Sequence, residues 1–77
     1  MAHYELDARR LLCPMPVIKT QNMVKNLQEG DTLTIIATDP GSQHDLPCWC
    51  RMNGHQILES KEINDEYYIT MQLREKE

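Results

Sequence analysis

Apolar positions along this chain keep switching between two spacings, one suited to a strand and one to a helix, with turn-forming breaks between the stretches. His3 to Asp7 alternates, with Tyr4 and Leu6 on one side, and reads as a short strand. From Pro16 to Gln28, Val17, Thr20, Val24 and Leu27 recur at helical spacing, and Glu29-Gly30-Asp31 supplies the stop. Thr32 to Thr38 is rich in β-branched residues and puts Leu33, Ile35 and Ala37 on one face, as a second strand would. Asp39-Pro40-Gly41 then breaks the chain. The segment after it reads as a helix ending at Asn53-Gly54, a good left-handed cap pair, with Leu46, Trp49, Cys50 and Asn53 on one face. Ser42 and Asp45 have the spacing of a capping box, and Pro47 fits if this helix begins close to Asp45. Gln56 to Glu62 and Glu66 to Arg74 are the last two strands, joined across Asn64-Asp65. The final strand sets Tyr67, Ile69, Met71 and Leu73 against Tyr68, Thr70 and Gln72.

The element order is therefore βαβαββ. Strands that alternate in this way have one wet face, so both helices should cover the same side of the sheet. The expected class is α+β, a two-layer α/β sandwich with both helices on one face. A chain of 77 residues has room for one domain, spanning residues 1–77, and one modest core. Such a core supplies about 3–5 kcal/mol net. That suffices to present a surface and one reactive group, and leaves little material for a deep, enclosed active site.

The net charge is -4, and the eight Lys and Arg are scattered, with only Arg9-Arg10 adjacent. A general nucleic-acid binder needs a clustered basic face, so no direct nucleic-acid partner is expected. The opening MAHYELDARR carries acids early and has no apolar run, unlike a secretory signal, and nothing approaches transmembrane length, so no membrane association is expected. Three cysteines in such a chain read as reduced thiols rather than a disulfide framework. The expected compartment is cytoplasmic.

The candidate reactive group is the thiol of Cys13, in the run Cys13-Pro14-Met15-Pro16. A thiol reacts as thiolate, and Cys13 sits where a strand and loop hand over to a helix, whose positive end favours an anion. Arg9 and Arg10, a few residues upstream, would add positive potential if the loop folds back. On this reading the apparent pKa of Cys13 falls below the free value of about 8.5. Pro14 and Pro16 break no helical bond at a helix start, but remove two donors that could reach the sulfur. With Cys13 as N-cap, only the Met15 N–H remains, so at most one close backbone donor is expected. Alternatively, because residues before proline avoid helical geometry, the helix begins at Pro16 and leaves Cys13 further out, more exposed and less activated.

Cys48-Trp49-Cys50 suggests metal ligands at first sight. On a helix, residues two apart point about 200° away from each other and cannot share an ion. A second ligand pair is also missing. No metal and no cofactor are expected, with Cys50 assigned to the core and Cys48 to the surface. His3, His44 and His55 are well separated and read as solvated or capping. Met15, beside the thiol, is a candidate apolar contact for a partner.

Leu6-Asp7-Ala8, Cys13-Pro14-Met15-Pro16, Asp39-Pro40-Gly41-Ser42, Asp45-Leu46-Pro47 and Gly54-His55, in this order and spacing, resemble the TusA/SirA-type sulfur carrier family. The resemblance covers nearly the whole chain. It implies a βαβαββ sandwich on a four-stranded mixed sheet, similar to the C-terminal domain of a translation initiation factor. It also implies that the cysteine at position 13 accepts sulfane sulfur as a persulfide from a cysteine desulfurase or rhodanese-like donor. That sulfur then passes to a downstream sulfur-acceptor protein, in many members toward 2-thiouridine in tRNA and in others toward sulfur oxidation or cofactor synthesis. The chain would thus be a sulfurtransferase-like carrier, with Pro14, Met15, Pro16, Arg9 and Arg10 supporting Cys13. Many relatives have glycine where Arg10 stands, and arginine tolerates positive φ poorly, so a different loop path is expected here. The competing reading is a non-catalytic regulatory or protein-binding module that uses the helix start as a recognition surface.

Overall fold

The computed structural model describes residues 2–74 and has four strands and two helices: β1 (His3–Ala8), α1 (Met15–Val24), β2 (Thr32–Ala37), α2 (Ser42–Met52), β3 (Gln56–Ile63) and β4 (Glu66–Gln72). The sheet order is β1-β2-β4-β3, with β1 parallel to β2 and both β2 and β3 antiparallel to β4. The sheet is mixed, and the order βαβαββ is the one read from the sequence. Alternation explains the layering. Leu33, Ile35 and Ala37 of β2, and Ile69 and Met71 of β4, are fully buried and meet Leu46 and Cys50 of α2. Val17, Met23 and Val24 of α1 pack against the same cluster, so both helices lie on that face. The opposite face is polar, and there the Thr34 and Thr70 hydroxyls pair at 2.9 Å. β3 is an edge strand whose residues are mostly exposed, and its charged Glu59, Lys61 and Glu62 discourage pairing with another chain.

Two helix boundaries differ from the sequence reading, each for an identifiable reason. The α1 periodicity runs on to Leu27, but the helix stops at Val24. The Asn26 and Leu27 N–H groups bond three residues back, to the Met23 and Val24 carbonyls. The Asp31 carboxylate then accepts from the N–H groups of Gln28 and Ala2 at 2.9 and 3.0 Å, drawing residues 25–31 off the helical path and holding the start of the chain. These bonds to the ionised form lower the Asp31 pKa, the Gln28 N–H contributing most. In the other direction, α2 starts at Ser42 rather than near Asp45, so Pro47 stands inside the helix. The residue four back, whose carbonyl loses a donor, is the exposed Gln43. Ser42 and Asp45 form no capping box. The Ser42 hydroxyl is buried with no hydrogen-bond partner among the described residues. His55 is also not solvated: it is buried, its ring centroid lies 5.6 Å from that of Trp49, and its Nδ1 accepts the Arg74 N–H at 3.1 Å.

Ile69 stands in a central strand at the middle of the core. Ile69→Val should cost about 0.5–1.5 kcal/mol and Ile69→Ala about 2–5 kcal/mol, read as a fall in the urea midpoint at unchanged slope. The larger loss is comparable to the whole stability expected of a domain this small.

Candidate functional site

Parallel pairing of β1 with β2, with Ala8 opposite Ala37, brings the loops that follow both strands to one end of the sheet. Cys13 lies in the first loop; Asp39 and, one turn into α2, Asp45 lie beyond the second strand. The Asp39 carboxylate ties the two segments together. Its Oδ2 accepts the Cys13 N–H at 2.8 Å and its Oδ1 accepts the Gly41 N–H at 3.3 Å, while its carbonyl accepts the Ser42 N–H at 2.9 Å. Asp39 therefore does the work at the start of α2 that the Ser42–Asp45 spacing suggested. Asp45 is left to reach across the gap. The Cys13 Sγ donates to its Oδ2 at 2.6 Å.

The N-cap of α1 is Pro14, between the two alternatives read from the sequence, and the Cys13–Pro14 peptide bond is cis. Cys13 is exposed. Among the described residues no backbone N–H donates to its sulfur: the one candidate, that of Met15, bonds instead to the Leu12 carbonyl at 2.9 Å. Pro16 is buried against the core, and Met15 stays 41% exposed beside the thiol, with Leu12 at 75% and Ile18 at 41%.

The expectation of a thiol ionised more readily than usual is overturned. The Cys13 pKa is raised, first by its hydrogen bond to Asp45, then by desolvation, and then by the charges of Asp45 and Asp39. The arginines do not compensate. Arg9 forks onto Asp7, with Nε and Nη2 at 2.9 and 3.0 Å from its oxygens, and also reaches Glu66 at 3.5 Å. The side-chain bond to Arg9 leads the causes that hold the Asp7 carboxyl down at about 2. Arg10 adds its charge to the same acid and lines, with Asp7, Arg9, Thr38 and Glu66, a shallow surface cleft. Arg9 is thus occupied on the Asp7 side of the loop.

Arg10 also corrects the expected loop path. Its φ is 68°, so it adopts the left-handed conformation that glycine would adopt freely. Two bonds hold it there: the Arg10 N–H to the Thr38 hydroxyl at 2.8 Å, and the Leu11 N–H back to the Ala8 carbonyl at 3.4 Å. Cys50 is buried with its Sγ 3.3 Å from the Met71 sulfur, and burial pushes its thiol up to about 12; Cys48 is exposed. Sequence reasoning weighed Asp39 and Asp45 as turn and capping residues and missed both as neighbours of Cys13. The available signal was their position after the strand paired with β1.

The fold is thus a small α/β sandwich with an exposed thiol in the loop at the paired strand ends. Residues 4–73 match the family model of sulfurtransferase TusA, and the chain belongs to that family. It is 44% identical over 62 residues to a sulfur carrier protein TusA of Pseudomonas putida, covering 80% of this chain and 78% of that protein. With a sulfur carrier protein TusA of Allochromatium vinosum it shares 35% identity over 65 residues, covering 84% of this chain and 86% of that one. Against the Bacillus subtilis protein YrkF it is 49% identical over 53 residues, which is 69% of this chain but only 29% of YrkF. The crystal structure of a SirA-like protein from Desulfitobacterium hafniense has the same fold, with a TM-score of 0.81, 24% identity, and coverage of 94% of this chain and 99% of that one.

In the native protein a disulfide reagent should reach the exposed Cys13 and Cys48, Cys13 more slowly than its exposure alone would give because Asp45 holds its thiol. It should label Cys50 only on denaturation; fast labelling of Cys50 in the native protein would contradict the packing. Arg10→Gly should stabilise by about 0.5–1 kcal/mol, because a left-handed L-residue costs about 1–2 kcal/mol and the lost rigidity of glycine returns part of it. Thermal unfolding reads the difference.

Proposed function

We propose that this chain is a sulfur carrier whose working group is the Cys13 thiol. The observation that carries this reading is an exposed cysteine held at the start of α1 in a chain of the sulfurtransferase TusA family. Sulfur arrives from a donor protein that bears a persulfide, a cysteine desulfurase or a rhodanese-like enzyme. The Cys13 thiolate attacks the outer sulfur of that persulfide, a new S–S bond forms, the donor's S–S bond breaks, and the donor leaves as a thiolate that takes up a proton. Nothing is oxidised overall: a thiol and a persulfide exchange places. The Cys13 persulfide then delivers its outer sulfur to an acceptor protein by the same exchange, toward tRNA 2-thiouridine or another sulfur-requiring product.

The exposure and backbone placement of the sulfur suit this exchange. The sulfur is exposed at the end of the sandwich, so a donor cysteine can approach it. Leu12 adjoins Cys13 in the chain and is exposed, and Met15 and Ile18, three apart on α1, share an exposed apolar face that a visiting protein can cover. Asp39 holds the Cys13 backbone, which fixes where the sulfur is presented. The net charge of -4 favours protein partners over RNA as direct contacts. We place the carrier in the cytoplasm, where its thiols stay reduced; among the described residues no helix is long and apolar enough to cross a membrane.

Incubation with a cysteine desulfurase and cysteine should add one sulfur to the peptide containing Cys13 and none to that peptide in Cys13→Ser, read by mass spectrometry. Absence of the adduct, or an equal adduct in the variant, rejects the proposal. The apolar strip beside Cys13 would equally serve a recognition module, and the same variant separates the two: a module keeps partner binding and cellular phenotype in Cys13→Ser, whereas a carrier loses the phenotype.

A further inference from the structure

The sulfur-carrier reading needs a nucleophilic sulfur, yet the site holds that sulfur against an acid. The charged groups around Cys13 are Asp45 from α2, Asp39 from the loop after β2, and Arg9 and Arg10 from its own loop. Arg9 is engaged by Asp7 and Glu66, Arg10 stands beside Asp7, and Asp39 is occupied by the Cys13 and Gly41 N–H groups. Asp45 is the acid that contacts the sulfur itself, at 2.6 Å. Carboxylic acids ionise about 4–5 pH units below thiols, so the shared proton belongs to sulfur and the carboxylate acts as acceptor rather than base.

We propose that Asp45 is a proton lock on Cys13: it keeps the thiol protonated in the free carrier, and the nucleophile is released where a docking protein pairs the carboxylate with a cation of its own. This rests on the carrier reading above and adds to it the chemistry required of the partner, a Lys or Arg placed within reach of Asp45 when the apolar strip of Leu12, Met15 and Ile18 is covered. With Asp45 paired to that cation, its pull on the thiol proton is lost and the cation favours the thiolate. The proton passes to solvent, the thiolate attacks the donor's outer sulfur, and the departing donor thiolate recovers a proton. The exchange stays balanced, one thiol and one persulfide on each side. The raised pKa of Cys13, to which its hydrogen bond to Asp45 contributes most, agrees with this arrangement. A locked thiol also resists the oxidants that attack exposed thiolates, which matters for a carrier between partners.

The decisive measurement is independent of sulfur transfer. The rate of Cys13 alkylation by iodoacetamide, followed on its own peptide so that Cys48 does not interfere, is recorded against pH for the wild-type chain, Asp45→Asn and Asp45→Glu. The wild-type midpoint is expected above the ordinary thiol value of about 8.5. Asp45→Asn should move it down, raising the rate at pH 7 tenfold for each unit moved, and Asp45→Glu should keep it high. A wild-type midpoint at or below 8.5, or one that Asp45→Asn leaves in place in a chain with an unchanged circular dichroism spectrum, overturns the lock. Partner release is read by loading. With glutathione persulfide, which has no docking surface, Asp45→Asn should load faster than wild type at pH 7; with a cysteine desulfurase the advantage should vanish or reverse. An equal gain with both donors would refute release by docking. Failure of wild-type loading from every protein donor, with the alkylation profile as expected, would reject the carrier reading and leave the lock standing.

Discussion

The arrangement of this molecule depends on β1 pairing in parallel with β2. An antiparallel pair would send the chain away from the end where it emerged, whereas a parallel pair delivers two loops, and the helices that follow them, to the same edge. Residues 26 and 32 positions apart thereby become neighbours of one sulfur atom: Asp39 at the Cys13 N–H and Asp45 at its Sγ. The small fully buried Ala8 and Ala37 close the two strands beneath these loops. Ligand sites of open sheets commonly lie just beyond the carboxyl ends of parallel strands, and the candidate site follows that geometry on a much smaller body.

The elements themselves were legible because each carries its own period. β4 announces its buried side through Tyr67, Ile69 and Met71, and β2 does so through Leu33, Ile35 and Ala37; these are local facts that pleating converts directly into burial. Helix ends were less legible because tertiary bonds decide them. Leu27 keeps the helical spacing and still packs against the core, but the Asp31 carboxylate, gathering N–H groups from both sides, ends α1 early. The ionisation of Cys13 was misread for a related reason. A helix start is a generic positive pole, worth a few tenths to one kcal/mol at a surface. A carboxylate in direct contact outweighs it, and no local pattern reveals which carboxylate the fold will bring. Position 10 makes the same point in reverse. Arginine disfavours the left-handed region, yet two hydrogen bonds at the strand end hold the turn.

The pairing of Arg9 with two acids is part of the electrostatics of the loop. Asp7 sits one residue before the end of β1, near enough to Arg9 for a two-pronged contact, and Glu66 at the start of β4 adds a second acid. Arg9, so engaged, presents little free charge to the far side of the loop. The sulfur itself is met by an acid, Asp45, while Leu12 in the loop and Met15 and Ile18 on α1 expose apolar surface. On the proposed docking, this combination would select partners by two independent properties, because apolar contact supplies area while a buried acid without a counter-charge penalises the wrong partner.

A chain of this size cannot enclose a reaction, and persulfide exchange does not require enclosure. It requires a sulfur that is reachable, that stays where it is placed, and whose ionisation changes at the right moment. The first two are backbone properties, supplied by an exposed loop and by the Asp39 bond to the Cys13 N–H. The third cannot be a fixed property of a free carrier, since a permanently ionised exposed thiol reacts with whatever arrives first. On the proposed lock, a carboxylate placed against the sulfur makes ionisation depend on what covers that carboxylate, and so a property of the complex. The contrast with Cys50 shows why an acid is used rather than burial. Burial raises that thiol to about 12 and also removes it from every partner, whereas Asp45 restrains Cys13 without hiding it.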